Sequence, residues 1–301
     1  MHDTQRRSPT SIKPVKRRFL NSRMQLSYTE WAQEGAPLAI LIHGSRDHSR
    51  SWDALANALL PDHHVIAPDL RGHGNSGWSQ DGRYDFAAYL SDLGALAGHL
   101  ALGPQRQAIL IGHSLGAHVA LRFAGTFPES IRRIVAIEAV GAPPAVEARH
   151  ANEGIEQAAR NWLDERQAAS LTTPRVFASM DEAVERMRER HAFLTPAQAR
   201  HTTRHGLRRA GTAGWQWKHD PYLAVWPFPD IGIEDVRGLW RNIACPTLLL
   251  YGERSWPSGL PADLINHIPQ VRELRLPESG HWPQHDAFDA CLSAIRNFLA
   301  E

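Results

Sequence analysis

The chain has 301 residues, which is enough to bury a complete core and suits one α/β domain with an insertion better than two independent domains. Its formal net charge is +1, so total charge indicates neither nucleic acid nor an acidic macromolecule as a partner. No apolar run is long enough for a signal peptide or a membrane span, and the only cysteines are Cys245 and Cys291. We expect a cytoplasmic protein that does not enter membranes and that keeps both thiols free and buried.

Residues 1–18 are basic and include several serines, threonines and prolines, which predicts a mobile tail before a core that starts at Phe19. Apolar runs predict strands at 25–31, 38–42, 65–68, 109–113, 131–138, 247–251 and 271–276. Helical spacing of apolar residues predicts helices at 54–60, 86–100, 115–127 and 288–299, with Asp85 as the N-cap of the second. Strands therefore alternate with helices along the core.

One predicted strand ends in the sequence Gly112-His113-Ser114-Leu115-Gly116, and a predicted helix follows at once. A serine at such a turn takes strained backbone angles, and flanking glycines let strand and helix pass closely. The Ser114 hydroxyl would stand at the carboxyl edge of the sheet beside the free N–H groups of the helix. This nucleophile elbow resembles that of the α/β-hydrolase superfamily. The resemblance implies the α/β-hydrolase fold, with a mostly parallel eight-stranded sheet flanked by helices.

The strand at 38–42 leads into His43-Gly44-Ser45. In the superfamily, a strand ending in His-Gly leads into the loop that supplies one oxyanion-hole amide. By position the donors here are the Ser45 N–H and the Leu115 N–H. The next residues, Arg46, Asp47 and His48, form either a local hydrogen-bonded network or the mouth of a pocket. Residues 69–76 match a glycine-containing loop of the family, to which we assign a structural role.

His281 lies in a loop after the last predicted strand, at the position of the superfamily's catalytic base. A serine hydroxyl is a poor nucleophile at neutral pH without such a base, and the base itself needs a group that orients it. We therefore expect Ser114 and His281 to act together.

The acid departs from the common family pattern, because Ser255 stands where many relatives have an aspartate. Two carboxylates compete for the role. Glu138 closes an apolar strand at the position from which haloalkane dehalogenases, for example, supply their acid. Glu253 lies in the usual loop, two residues early. We favour Glu138, with Glu253 as the alternative, because the apolar strand ending in Glu and the Gly-Ala-Pro-Pro that follows resemble those enzymes. An ionised carboxylate at the end of an apolar strand also needs a partner.

Residues 141–240 differ in pattern from the core, with helices expected at 145–163, 180–193 and 196–208. The family carries its cap, or lid, at this point of the chain, so we assign 141–240 to a helical cap and residues 19–140 and 241–301 to the core. Five tryptophans lie in this segment, and we expect most to pack the cap and one or two to line a substrate tunnel: Trp162, Trp215, Trp217, Trp226 and Trp240.

The leading hypothesis is a serine hydrolase that cleaves a small or medium, fairly apolar carboxylic ester or lactone through an acyl-enzyme. An alternative is carbon–carbon bond hydrolysis of a ring-cleavage diketone. A third is a ligand-binding protein with little turnover. Acyl transfer through a serine needs neither a metal nor an organic cofactor, so none is expected. The histidines also show no helical pair and no Cys-His arrangement of the zinc-site type. The specific substrate and the oligomeric state stay open.

Overall fold

The computed structural model describes residues 12–139, 153–228, 232–255 and 265–301. The strands in chain order are β1 Val15–Asn21, β2 Met24–Trp31, β3 Leu38–Ile42, β4 His64–Asp69, β5 Ala108–His113, β6 Ile131–Ile137, β7 Val176–Phe177, β8 Leu207–Arg209, β9 Trp215–Trp217, β10 Thr247–Gly252 and β11 Val271–Leu276. The helices are α1 Asp53–Leu59, α2 Phe86–His99, α3 Leu115–Thr126, α4 Ile155–Ser170, α5 Met180–Arg190, α6 Pro196–Gly206, α7 Ile233–Arg241, α8 Pro283–Asp286 and α9 Phe288–Ala300. The Asp85 carboxylate accepts the Ala88 N–H at 2.7 Å and confirms the predicted N-cap of α2.

The main sheet has eight strands in the order β1-β2-β4-β3-β5-β6-β10-β11. Among the described strands of this sheet, β2 alone runs in the opposite direction. It pairs antiparallel with β1 and β4, whereas the neighbouring pairs from β4 to β11 are parallel. The predicted mostly parallel, eight-stranded α/β fold is therefore confirmed. One boundary needs correction: β1 begins at Val15 and pairs with β2, so residues 15–18 of the predicted tail belong to a strand. Residues 1–11 of that tail lie outside the described residues.

Both faces of the sheet are covered, which explains the continuous apolar runs of the central strands. Along β3, Ile40 and Ile42 pack into a core with α2, α3 and α7, whereas Ala39 and Leu41 pack into a second core with α1 and α9. All four side chains are fully buried. Because successive residues of a strand point to opposite faces, one short run contributes to two cores.

The segment 153–228, called the inserted segment below, lies between β6 and α7 and contains α4, α5 and α6. It also contains a three-stranded antiparallel sheet in the order β7-β9-β8, which the sequence analysis missed. The helix expected at 145–163 is observed from residue 155 to 170, and residues 145–152 lie outside the described residues. The other two expected helices end earlier than predicted, at Arg190 and Gly206.

Helix α7 was predicted to belong to the cap, but it packs against α3 of the core. A side-chain carbon on Gly125 of α3 would lie 2.2 Å from the Leu239 carbonyl oxygen of α7, so the two backbones nearly touch. Trp240 of α7 is buried in the core that contains α2 and α3. The predicted cap boundary at residue 240 is therefore too late. In the described parts of the chain, no helix is both long enough and apolar enough to cross a membrane.

Candidate active site

The turn between β5 and α3 has the strained form expected of a nucleophile elbow. Ser114 has φ 51° and ψ −117°, a backbone conformation that non-glycine residues rarely adopt. A side-chain carbon on Gly112 would lie 2.4 Å from the Gly116 carbonyl oxygen, and one on Gly116 would lie 2.1 Å from the Ile42 carbonyl oxygen. Strand, turn and helix are thus packed too closely for any side chain at either glycine.

A cavity of about 470 Å³, called the serine cavity below, opens at this turn. It is lined by four of the residues singled out in the sequence: Ser45, Ser114, Leu115 and His281. The inserted segment contributes part of the wall: His191, Leu223, Val225, Trp226 and Pro227. The structure therefore brings the predicted nucleophile, base and oxyanion-hole residues to one cavity.

Glu138 follows β6 directly, has φ 54° and is fully buried. Its Oε2 lies 3.0 Å from His281 Nδ1, and its Oε1 accepts the Gly252 N–H at 2.5 Å. The Ser255 hydroxyl donates to Oε2 at 2.5 Å. A buried carboxylate is costly unless its oxygens are hydrogen-bonded, and these three groups meet that requirement. The partner that the sequence analysis required for Glu138 is His281.

The alternative acid, Glu253, has an exposed side chain. Its backbone N–H donates to the Leu276 carbonyl oxygen at 3.0 Å, which fixes the loop after β10 to the end of β11. The carboxylate that the structure brings to the imidazole is that of Glu138. Ser255, which replaces the usual family aspartate, lies 3.5 Å from His281 Nδ1 and donates to the carboxylate that faces it.

Two residues that the sequence analysis did not single out hold the His281 loop. Asp286 accepts the Gly280 N–H at 2.8 Å and the Ser279 hydroxyl at 2.6 Å. His113 is buried, and burial in the first place lowers its pKa well below the ordinary value, so it is neutral. Its Nε2 lies 2.7 Å from the His281 carbonyl oxygen and must donate, because that oxygen only accepts.

The loop after β3 is held by buried polar groups. His43 Nε2 accepts the Leu70 N–H at 3.0 Å, so its proton is on Nδ1, which donates to the Gly44 carbonyl oxygen at 2.7 Å. Asp47 accepts the His48 N–H and the Ser51 hydroxyl, each at 2.8 Å. The predicted local network is confirmed, and Asp47 also lines the serine cavity. Both roles considered for this loop are therefore present.

The family loop at 69–76 is also tied down as predicted. The Asp69 carboxylate accepts the Ser49 N–H at 2.7 Å and the Asn75 N–H at 2.9 Å. A side-chain carbon on Gly74, which has φ 51°, would lie 2.2 Å from that carboxylate. The aspartate joins this loop to the one after β3, which supports a structural role.

The prediction that the histidines form no helical pair is wrong. His201 and His205 lie one turn apart on α6, and with Asp53 they offer three ligand atoms within 4.8 Å of one another. Their spacing is visible in the sequence and was overlooked. Arg50 already binds the Asp53 carboxylate through Nε at 2.7 Å and Nη2 at 2.5 Å, so a cation here would face a guanidinium. The arrangement is better described as an ion-pair cluster between the core and the inserted segment.

Cys245 and Cys291 are free and buried, as predicted. Burial raises their pKa values to about 11 and about 12, so both are neutral thiols at physiological pH. Neither lies in the wall of the serine cavity.

A family model described as the alpha/beta hydrolase fold matches residues 37–288, which is most of the chain. The chain belongs to the α/β-hydrolase family. Membership explains the strand order, the position of the serine turn and the insertion after β6, and it establishes the protein as a hydrolase relative.

Three relatives are similar over most of their length. Esterase Rv0045c from Mycobacterium tuberculosis is 26% identical in sequence over 88% of this chain and 83% of its own. The crystal structure of that esterase matches this fold with a TM-score of 0.72 over 96% of this chain and 92% of the esterase chain. The 3-hydroxybutyrate-oligomer hydrolase from Cupriavidus necator is 30% identical over 86% of this chain and 87% of its own. The 2-hydroxymuconate semialdehyde hydrolase from Pseudomonas putida is 29% identical over 89% of this chain and 88% of its own. Relatives of this hydrolase family thus include an esterase and hydrolases of other substrates.

Proposed function

We propose that this protein hydrolyses carboxylic esters or lactones through Ser114, His281 and Glu138. The observation that carries the proposal is the 3.0 Å contact between the fully buried Glu138 carboxylate and His281 Nδ1. His281 and Ser114 line the same cavity, so the histidine that contacts the acid and the strained serine border one space. The shared cavity and the Glu138 contact therefore support Ser114 as the nucleophile, His281 as the base and Glu138 as the acid.

The proposed reaction uses each of these groups in turn. Ser114 Oγ attacks the ester carbonyl carbon while His281 Nε2 takes the hydroxyl proton, and Glu138 stabilises the resulting imidazolium. The oxyanion accepts hydrogen bonds from the Ser45 and Leu115 N–H groups. The C–O bond to the alcohol then breaks, and His281 returns the proton to the leaving oxygen. His281 then deprotonates a water molecule that attacks the acyl carbonyl carbon, the bond from that carbon to Ser114 Oγ breaks, and His281 returns the proton to Ser114 as the carboxylic acid is released.

We propose further that the inserted segment acts as the cap of this site. It lines the serine cavity with apolar side chains, including Leu223, Val225 and Trp226, which suit an apolar acyl or alcohol group. His48 Nε2, on the loop after β3, lies 2.8 Å from the Thr202 carbonyl oxygen of α6 and ties the segment to the core. Trp226 is the tryptophan that we assign to the substrate wall.

The relatives support ester hydrolysis as the first choice. One is named an esterase and another an oligomer hydrolase of 3-hydroxybutyrate. Haloalkane dehalogenases and epoxide hydrolases of this fold use an aspartate as the nucleophile where this chain has Ser114, so we do not assign their reactions to this protein.

The test is hydrolysis of p-nitrophenyl acyl esters, from short to long chains, by wild type, Ser114→Ala and Ser91→Ala. Ser91 is exposed on α2 and serves as the matched control for loss of a serine hydroxyl. We expect Ser114→Ala to lose at least about 10³-fold in kcat, with Ser91→Ala unchanged. Ester turnover that survives in Ser114→Ala would overturn the proposal.

Carbon–carbon bond hydrolysis of a ring-cleavage diketone is the second candidate, and the relative named 2-hydroxymuconate semialdehyde hydrolase favours it. A ring-cleavage diketone therefore joins the substrate panel, and its exclusive turnover would replace the ester proposal. A ligand-binding protein with little turnover is the third hypothesis, and it depends on the absence of the usual family aspartate at position 255, where this chain has Ser255. The contact of Glu138 with His281 weakens that argument, since a carboxylate does face the imidazole.

A further inference from the structure

A second cavity of about 370 Å³, called the arginine cavity below, lies beside the serine cavity. Asp47 and His191 line both cavities, so the two share a wall. Five cationic side chains line the arginine cavity: Arg46, Arg175, Arg186, Arg190 and Lys218. Among the described residues in that lining, Asp47 supplies the only carboxylate. The lining therefore carries a large excess of positive charge.

Some of this charge is already neutralised. Arg175 and Arg186 each pair with a glutamate of α5, at 3.2 Å and 3.0 Å. Arg46 and Arg190 have no carboxylate within 4.0 Å in residues 12–139, 153–228, 232–255 and 265–301. Lys218 Nζ donates to the His205 carbonyl oxygen at 2.6 Å, which is a neutral partner. Among the described residues these three cations thus form no salt bridge with a carboxylate, although the charge of Asp69 acts on Lys218 from farther away.

The carboxylate of Asp47 does not supply that countercharge. Asp47 is buried, and its two oxygens accept the His48 N–H and the Ser51 hydroxyl, each at 2.8 Å. These hydrogen bonds direct the carboxylate into its own loop. It remains the one negative group in the lining and would oppose an anion placed directly against it.

Arg46 and Arg190, which form no salt bridge among the described residues, both line the arginine cavity and affect the same neighbouring groups. Partial desolvation and the charge of Arg190 both lower the pKa of Arg46. Burial first, and then the charges of Arg46 and Arg190, lower the pKa of His219 to about 4, so this neighbour is neutral. The cavity is therefore lined by two guanidinium groups that repel each other, one from the loop after β3 and one from the end of α5.

Arg46 also has a special position along the chain. It follows Ser45, the proposed oxyanion donor, and has φ 59°, a conformation in which non-glycine residues are rare. Ser45 lines the serine cavity and Arg46 lines the arginine cavity. His191, in the shared wall, stacks on Trp282 with ring centroids 4.8 Å apart, and Trp282 is next to His281. A ligand in the arginine cavity would thus lie close to the reacting carbonyl.

We propose that the arginine cavity binds a carboxylate at the far end of the acyl chain whose ester carbonyl lies at Ser114. The preferred substrates are then esters of dicarboxylic acids that keep one free carboxylate. Guanidinium groups bind carboxylates through paired N–H donors, and the Lys218 ammonium adds a third cation. The inference rests on the proposed function, because it names the class of ester that the site selects.

The test compares two p-nitrophenyl esters of equal chain length, the hexanoate and the mono-adipate, which differ only in a terminal methyl or carboxylate. Arg190→Gln removes an exposed cation of the lining at the end of α5. Arg188→Gln is the control, since it removes a cation of the same helical turn that pairs with Glu185 and lies outside the lining. Circular dichroism and the melting temperature verify that each variant is folded.

We expect Arg190→Gln to lower the ratio of adipate to hexanoate kcat/KM about tenfold, mainly through KM, with Arg188→Gln at the wild-type ratio. Sodium chloride at about 0.5 M should lower the wild-type ratio by screening. An equal ratio in wild type and Arg190→Gln would overturn the inference.

Calorimetry with adipate and with inorganic phosphate separates this inference from the proposed function. Adipate binding that is lost in Arg190→Gln, together with no turnover of either ester, would support the anion site and refute the ester hydrolase. Hexanoate turnover that depends on Ser114, with no adipate binding and no adipate preference, would refute the anion site alone. Binding of phosphate but not of adipate would also refute the carboxylate assignment.

Discussion

Glu138→Gln tests the geometry of the site most directly, because it removes one charge and almost no volume. The Glu138 carboxylate is fully buried and lies 3.0 Å from His281 Nδ1. The oxygen of the substituted amide could still accept the Gly252 N–H, and the Ser255 hydroxyl can rotate to accept from the new amide nitrogen. The fold should therefore survive, and the effect should fall on catalysis.

The magnitude follows from the charge that develops on His281 during the reaction. Two unit charges about 4 Å apart interact by about 4 kcal/mol at an effective dielectric constant of about 20. Loss of that term corresponds to about 10³-fold in rate. The amide also donates toward Nδ1 and so favours the wrong imidazole tautomer, for which losses of about 10⁴-fold are known in such triads. We expect kcat for an activated ester to decrease by a factor between about 10³ and about 10⁴.

The assay is kcat and KM for a p-nitrophenyl ester, with the melting temperature of each variant as a check of folding. Glu253→Gln is the matched control, because it makes the same change on an exposed side chain near the site. We expect it to stay within about twofold of wild type. Glu138→Gln retaining more than about a tenth of the wild-type kcat, or Glu253→Gln falling as far, would refute the assignment of the acid.

Two further predictions concern stability. Gly116→Ala places a carbon 2.1 Å from the Ile42 carbonyl oxygen and should lower the free energy of unfolding by about 1–3 kcal/mol. Gly94→Ala, within α2, adds a carbon that meets no atom within 4 Å apart from its chain neighbours and the nearby backbone of its own helix, and it should raise the free energy of unfolding by about 0.5–1 kcal/mol. Urea denaturation that ranks the pair otherwise would contradict the packing argument. The hydrogen bond to Asp53 raises the pKa of His201, so its stabilising contribution is complete below 6.5 and is lost as the pH rises through the raised value. The difference in melting temperature between wild type and His201→Gln should accordingly shrink from about pH 6 to 9, and a constant difference would show that this contact is not ionic.

Features that depend on near neighbours in sequence were predictable. The strand, turn and helix around Ser114 follow from an apolar run, two glycines and helical spacing within a few residues. The N-cap at Asp85 is equally local. The three short strands of the inserted segment were missed, since two or three residues are too few to show an alternating pattern.

The predictions of the cap boundary and of the absence of a helical histidine pair were wrong for different reasons. Trp240 and α7 pack against α3, more than a hundred residues earlier, and no pattern within α7 shows which layer it will join. His201 and His205 were visible as a one-turn pair, but Asp53 joins them only through the contact of α6 with the core.

The fold class and two residues of the proposed site, Ser114 and His281, could be predicted from the sequence, since each residue lies in a short motif whose chemistry is local. Two carboxylates stayed open as the acid. The contact of Glu138 with His281 follows from the packing of distant segments, which places the end of β6 beside the loops after β10 and β11. The tertiary structure also sets Arg46 and Arg190 around one cavity. Such juxtapositions depend on how distant segments pack, and the periodicity of a single segment does not encode the neighbour it will have.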